Sequence, residues 1–229
     1  MVGVTAHRPA VLSGALSVLV GAAALALVGT TPAQRLTIGV TLVALVPLAL
    51  GLELRRRGHV PAALALSSLG TAGVAGALAL GSARIASFSD GIELYPGLVG
   101  LFVLVLALGP VWAGRERALV SVGSGLLLIS VIASAGVYGT DTTGLLVAGV
   151  GTVLAWDLAE RAVNLGEQVG REAETRTVEL THAGATAAVG GGAILAVQVI
   201  VDADVTGLSL PVLASLLGSG LLLTLALYN

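Results

Sequence analysis

Residues 118–137 read ALVSVGSGLLLISVIASAGV and contain no charged side chain. A helix of about 20 residues rises roughly 30 Å, the thickness of a bilayer's hydrocarbon core. Similar runs recur along the whole chain, and they constrain the fold more tightly than any motif in it. In lipid, each segment must satisfy its own backbone hydrogen bonds, so a chain of such runs is a set of crossing helices. The charged fraction of 10 % is well below the roughly 25 % of soluble domains, and the mean hydropathy is +1.01. The sequence therefore predicts an all-α integral membrane protein.

Spans are expected at residues 10–29, 36–54, 60–81, 95–113, 118–137, 143–157, 183–201 and 208–227, which make 1–229 one transmembrane domain of eight helices. His7, Pro9, Ala10 and Leu12 open the first span, and His59, Pro61, Ala62 and Leu64 repeat them at the third. The fifth span follows Arg115 and Arg117, and the seventh follows His182. This arrangement predicts four helical hairpins, each entered from the same side. A basic start, an apolar core and small residues near 30–34 also fit a cleaved leader. Because its opening is repeated at the third span, the first span is expected to be retained.

Arginine positions set the orientation. Arg8, Arg55, Arg56, Arg57, Arg115, Arg117, Arg161, Arg171 and Arg176 fall on one face of this layout, leaving Arg35 and Arg84 on the other. Short cytoplasmic loops retain positive charge, so both termini are predicted to lie on the cytoplasmic side of the cell membrane. Trp112, Trp156, Tyr95, Tyr138 and Tyr228 are placed near span ends as interfacial anchors.

Small residues at helical spacing allow backbones to approach closely in lipid. Ser13, Ser17 and Gly21 on the first span, Gly70, Gly73 and Gly76 on the third, and Gly190, Gly191 and Gly192 on the seventh are read as helix contacts. Pro47 is expected to kink the second span. Residues 82–94 are expected to form an outer loop, with a turn at Ser89, Asp90 and Gly91.

Several function classes are excluded or left unsupported. The chain has no cysteine, hence no thiolate ligand or nucleophile, and its net charge of −2 opposes nucleic-acid binding. No expected span carries Asp, Glu, Arg or His near its centre, where coupled carriers place them. Glu53, beside the arginine run, is read as an interfacial ion-pair partner. Glu179 and His182 form one isolated E-x-x-H, half of what a bundle-type di-metal site requires. The sequence therefore predicts a non-catalytic protein without cofactor or metal.

One long polar segment remains, residues 157–182, with nine of the chain's charged side chains. On a helix, Leu158, Ala162, Leu165, Val169, Ala173 and Leu180 share a face beside Ala159, Gly166 and Gly170. Asp157 with Arg161, Glu167 with Arg171, and Glu172 with Arg176 are i,i+4 pairs in the acid-first order. A straight rod is impossible, because the next span re-enters the bilayer at once. The segment either lies flat on the bundle or breaks between Gly166 and Gly170. It has six acids against three arginines and no aromatic after Trp156, which suits a protein surface better than a lipid surface.

Trp156, Asp157, Glu160, Leu165, Gly166, Glu167, Gln168, Gly170, Arg171, Glu172, Ala173, Thr175, Glu179 and His182 form a pattern that resembles a signature of an uncharacterised family of multi-pass membrane proteins from haloarchaea. The resemblance implies lineage and membrane location, and no activity. The composition agrees, since all eleven basic residues are Arg. The expected function is a scaffold or anchor subunit in the lipid bilayer. A protein partner would dock on Asp157, Glu160, Glu167, Gln168, Arg171, Glu172, Glu179 and His182. The alternative is a small permease or channel for a neutral or weakly polar solute, its path lined by Gln198, Ser67, Ser68, Ser124 and Thr186.

Overall fold

A computed structural model describes residues 9–84, 88–109, 114–138, 142–168 and 176–202. These residues form seven α-helices: α1 (Val11–Val28), α2 (Pro32–Arg56), α3 (Val60–Arg84), α4 (Phe88–Ala107), α5 (Glu116–Tyr138), α6 (Thr142–Gln168) and α7 (Arg176–Asp202). All except α4 are long and apolar enough to cross a membrane, and α4 contributes a shorter apolar run, Gly91–Ala107. The protein is an α-helical membrane protein. The eighth expected span, 208–227, lies outside the described residues, as do Trp112 and Tyr228.

The expected four-hairpin grouping is not the observed one. The closest sequential pairs are α2 with α3 and α4 with α5, while α1 packs along α6 rather than α2. Small residues decide this. A Cβ on Gly70 would lie 2.5 Å from the Leu48 nitrogen, and one on Gly51 would lie 2.7 Å from the Ser67 nitrogen, so α2 and α3 touch backbone to backbone. Between α4 and α5 the contact is reciprocal: a Cβ on Gly100 would meet the Gly123 carbonyl at 2.6 Å, and one on Gly123 the Gly100 carbonyl at 2.9 Å. The α2–α3 turn is closed by Gly58, whose φ of 84° favours glycine.

On α1, the expected contact residues Ser13, Ser17 and Gly21 are all buried. The Ser17 hydroxyl donates to the Ala155 carbonyl at 2.6 Å, joining α1 to α6. Gly70 and Gly73 face α2, whereas Gly76 meets nothing. Of the glycine triplet, Gly190 faces Val150 of α6, and Gly191 and Gly192 face open space.

Most of one expected loop is helical. Helix α3 runs to Arg84, and Ser89, Asp90 and Gly91 belong to the first turn of α4, so of the outer loop expected over 82–94 only residues 85–87 are not placed in a helix, and they lie outside the described residues. The turn residues are weak helix formers, but the apolar repeat that follows extends back to Leu94 and holds them in the helix. Leu94, Leu98, Leu101 and Leu104 lie on one face, each at most 2 % exposed, in the core that α4 shares with α1 and α5. Tyr95, expected as an outer anchor, instead packs beside Gly81 and Gly91.

The sixth span, expected at 143–157 as the shortest, runs on into the polar segment. Helix α6 continues without a break through Gly166 to Gln168, so the shortest expected span is among the longest helices. The remainder of the expected break site, Val169 and Gly170, lies outside the described residues. Gly166 is buried inside the helix.

The chain divides into two compact units, Met1–Gly191 and Gly192–Asn229. In the second, the described residues are the end of α7, where Leu195 and Val199 are exposed.

Candidate functional site

The polar segment 157–182 is divided between the last three turns of α6 and the first turns of α7. Its apolar stripe is covered by the protein itself along α6, where Leu158, Ala159, Ala162 and Leu165 are buried, whereas Leu180 on α7 is exposed and Val169 and Ala173 lie outside the described residues. The Ala10 amide donates to the Ala162 carbonyl at 2.8 Å, seating the start of α1 on this stripe. Small side chains at 159, 162 and 166 permit that backbone contact.

Helix α1 opens without a side-chain cap of its own at Ala10. Its unpaired N-terminal amides would be costly at this buried position. Glu179 of α7 supplies the acceptor, taking the Ser13 amide at 2.7 Å and the Ser13 hydroxyl at 2.8 Å. The carboxylate is 2 % exposed and sits at the positive end of the helix dipole, where an anion is favoured. Glu179 is thus a cap in trans, three residues from His182 in sequence but directed to a different partner.

His182 bonds Asp157 of α6 through Nε2 at 2.8 Å, and the Thr186 hydroxyl donates to the same Asp157 oxygen at 3.0 Å. Both side chains are about one-third exposed, 30 % and 38 %. The E-x-x-H half-motif is therefore divided, Glu179 to α1 and His182 to α6. No group of three His, Asp or Glu side chains suited to a metal occurs among the described residues.

On the other flank of α6, Arg117 at the start of α5 bonds Glu167 at 2.7 Å, takes the Asn164 side chain as a further acceptor, and lies 3.9 Å from Glu160. Two acids of the expected i,i+4 pairs bond across helices: Asp157 pairs with His182 of α7 rather than Arg161, and Glu167 bonds Arg117 of α5, while its expected partner Arg171 lies outside the described residues. Gln168 is exposed, and Arg171 and Glu172 lie outside the described residues.

At the same end, Arg56 closes α2 against α4, donating to the Leu108 carbonyl and to Pro9. A guanidinium at the carbonyl end of α4 compensates its dipole. Glu53 pairs with Arg56 at 3.8 Å and Arg57 at 3.0 Å.

A second polar cluster, at the opposite ends of these helices, escaped the sequence reading. Thr31, Pro32 and Gln34 form a capping box at the start of α2, with Gln34 Oε1 accepting the Thr30 and Thr31 amides, each at 2.9 Å. The Gln34 amide nitrogen donates to Glu93 Oε2 at 3.0 Å. Glu93, expected in a loop, is 1 % exposed inside α4, and its Oε1 has no hydrogen-bond partner. The Ser130 hydroxyl of α5 donates to the Glu93 carbonyl. The T-P-A-Q sequence, a capping-box signature with proline at the first helical position, marks this helix start.

Four residues of the solute-path alternative lie in the first unit, each in its own surroundings. Ser67 abuts Gly51, Ser68 bonds the Ala65 carbonyl on its own helix, Thr186 belongs to the Asp157 cluster, and Ser124 is buried on α5 without a hydrogen-bond partner. Gln198 belongs to the second unit.

Residues 65–224 match the model of a family of unknown function, a stretch far longer than the 157–182 pattern and more than half of the chain. No curated protein and no solved structure matches.

Proposed function

For a chain that belongs to DUF7519, a family of unknown function, we propose a non-catalytic role as a scaffold or anchor subunit of a membrane complex. Its partner-facing end is the arginine-rich, cytoplasmic one. The observation that carries this reading is how the charged groups are used. Asp157, Glu160, Glu167, Glu179 and His182 fasten α6 to α5 and α7, and α7 to α1, instead of converging on a cavity. Between the two polar clusters lies a packed apolar core of Leu25, Leu98, Leu101, Leu104 and Leu127. Such a bundle holds a surface in fixed geometry.

The surface proposed for a partner is the end of α6 around the exposed Gln168; the expected contacts Arg171 and Glu172 lie outside the described residues. The proposed location is a cell membrane, with both termini of the chain cytoplasmic. The lysine-free composition fits a halophilic archaeal source.

A photo-cross-linking side chain at Gln168 in native membranes tests the reading, with the same probe at Thr142 on the opposite end of α6 as reference. A discrete adduct from Gln168 alone, lost in Glu167→Arg, is expected. Identical adducts at both positions, or none, would refute it. The permease alternative predicts solute flux in proteoliposomes that falls with Gln198→Leu.

A further inference from the structure

A cavity of about 510 Å³ lies between α1, α2 and α4, lined by residues 10–22 of α1, 42–56 of α2 and 105–109 of α4. Its walls are aliphatic, including Val18, Leu19, Leu45 and Val46, and the charged lining residues are Glu53 and Arg56, both near its arginine-rich end. The volume lies in the range of roughly 300–1,000 Å³ typical of small-molecule sites. The groove exists because α1 leans on α6 while α2 is drawn to α3, so α1 and α2, although consecutive in the chain, are not each other's main packing partners.

We propose that this groove binds a membrane lipid with an anionic headgroup, its hydrocarbon chain along α1 and α2 and its phosphate on Arg55 and Arg57. Charge complementarity selects this occupant. Arg56 lines the mouth beside Glu53 and is held by Glu53 and the Leu108 carbonyl. Its neighbours leave an excess of positive charge at this end of α2: Arg55 is exposed and makes no ion pair among the described residues, and Arg57, 66 % exposed at its side chain, shares Glu53 at 3.0 Å. Basic pockets between transmembrane helices recognise anionic headgroups, and a guanidinium matches phosphate with paired donors. A neutral chain end would gain nothing from this mouth. Ala15 and Ala49, both exposed, keep the groove open where larger residues would fill it.

The test uses the full chain, purified and stripped of lipid in detergent, with phosphatidylglycerol and phosphatidylcholine of identical chains added separately. Bound lipid is counted by native mass spectrometry. Phosphatidylglycerol is expected to bind about tenfold more tightly. Arg55→Gln with Arg57→Gln should reduce it to the phosphatidylcholine level, and Ala15→Phe or Ala49→Phe should abolish retention of both. These four positions are exposed, and an unchanged melting temperature verifies folding of each variant. Equal binding of the two lipids by the wild type, or undiminished binding by both phenylalanine variants, overturns the proposal. So does a quantitative disulfide between Ala49→Cys and Leu217→Cys that added phosphatidylglycerol does not suppress, since the chain's own 208–227 segment would then occupy the groove.

Discussion

Glu179 caps the helix on which Ser13 lies: its carboxylate takes both the amide and the hydroxyl of a residue 166 positions earlier in the chain. The contact closes the first helix of the bundle against the last one described, and it stands in for the local cap that Ala10 cannot supply.

Replacing Glu179 with Ala should remove the oxygen that accepts both bonds and leave the buried Ser13 amide unpaired, a loss of about 1–3 kcal/mol. Ser13→Ala, which keeps the amide bond, should cost less. Thermal unfolding in detergent orders the variants as wild type, Ser13→Ala, Glu179→Ala; an unchanged melting temperature for Glu179→Ala would contradict the capping role.

The α4–α5 contact makes a prediction about single methyl groups. Gly100→Ala and Gly123→Ala each place a Cβ against a backbone carbonyl that cannot rotate away, and overpacking of this kind costs about 1–3 kcal/mol. Gly125→Ala on the same helix, with nothing within 4 Å, should leave the unfolding midpoint where it was. Equal effects at 123 and 125 would refute the close approach.

Glu93 and Gln34 should behave asymmetrically. Gln34→Leu removes the cap of α2 and strands Glu93 Oε2, so a loss of about 2 kcal/mol or more is expected. Glu93→Gln preserves shape and hydrogen-bonding capacity while removing a buried carboxylate, and it should melt at or above the wild-type temperature. A marked loss of stability in Glu93→Gln would mean that the carboxylate itself is required.

Orientation can be read in a chain without native cysteines. His59→Cys and Gln168→Cys should react with an impermeant maleimide only when the cytoplasmic face is accessible, and Thr142→Cys only from the outside. The reverse pattern would invert the topology.

Much of this architecture is legible in the residues. The charge-free runs place seven helices with most ends within a few positions, because lipid leaves the backbone no alternative to intrahelical bonding. The small-residue runs on α1 and α3 likewise mark real contact faces. What periodicity does not carry is the identity of the helix on the other side. Gly70 indicates a close neighbour without naming Leu48, and a hairpin rule assigned α1 to α2 when α1 lies on α6.

The same limit governs the polar residues. Asp157, Glu167, Glu179 and His182 stand out in the sequence as a charged run on one helix face, where their evident partners are one turn away. The partners described for them are on α7, α5, α1 and α6, because a side chain flanked by other helices can bond across the interface and not only along its own axis. Glu93 was hidden for a related reason: Ser89, Asp90 and Gly91 carry a turn composition, and only packing of the leucine face around Leu94 and Leu98 makes that stretch helical. The sequence by itself determined that this is a helical membrane protein, roughly where each helix runs and which end carries the arginines, all of which follow from transfer of local segments into lipid. Helix pairing, the trans cap at Ser13, the buried Glu93 and the groove beside Arg56 were decided by tertiary structure, because each depends on which surfaces of distant segments fit together.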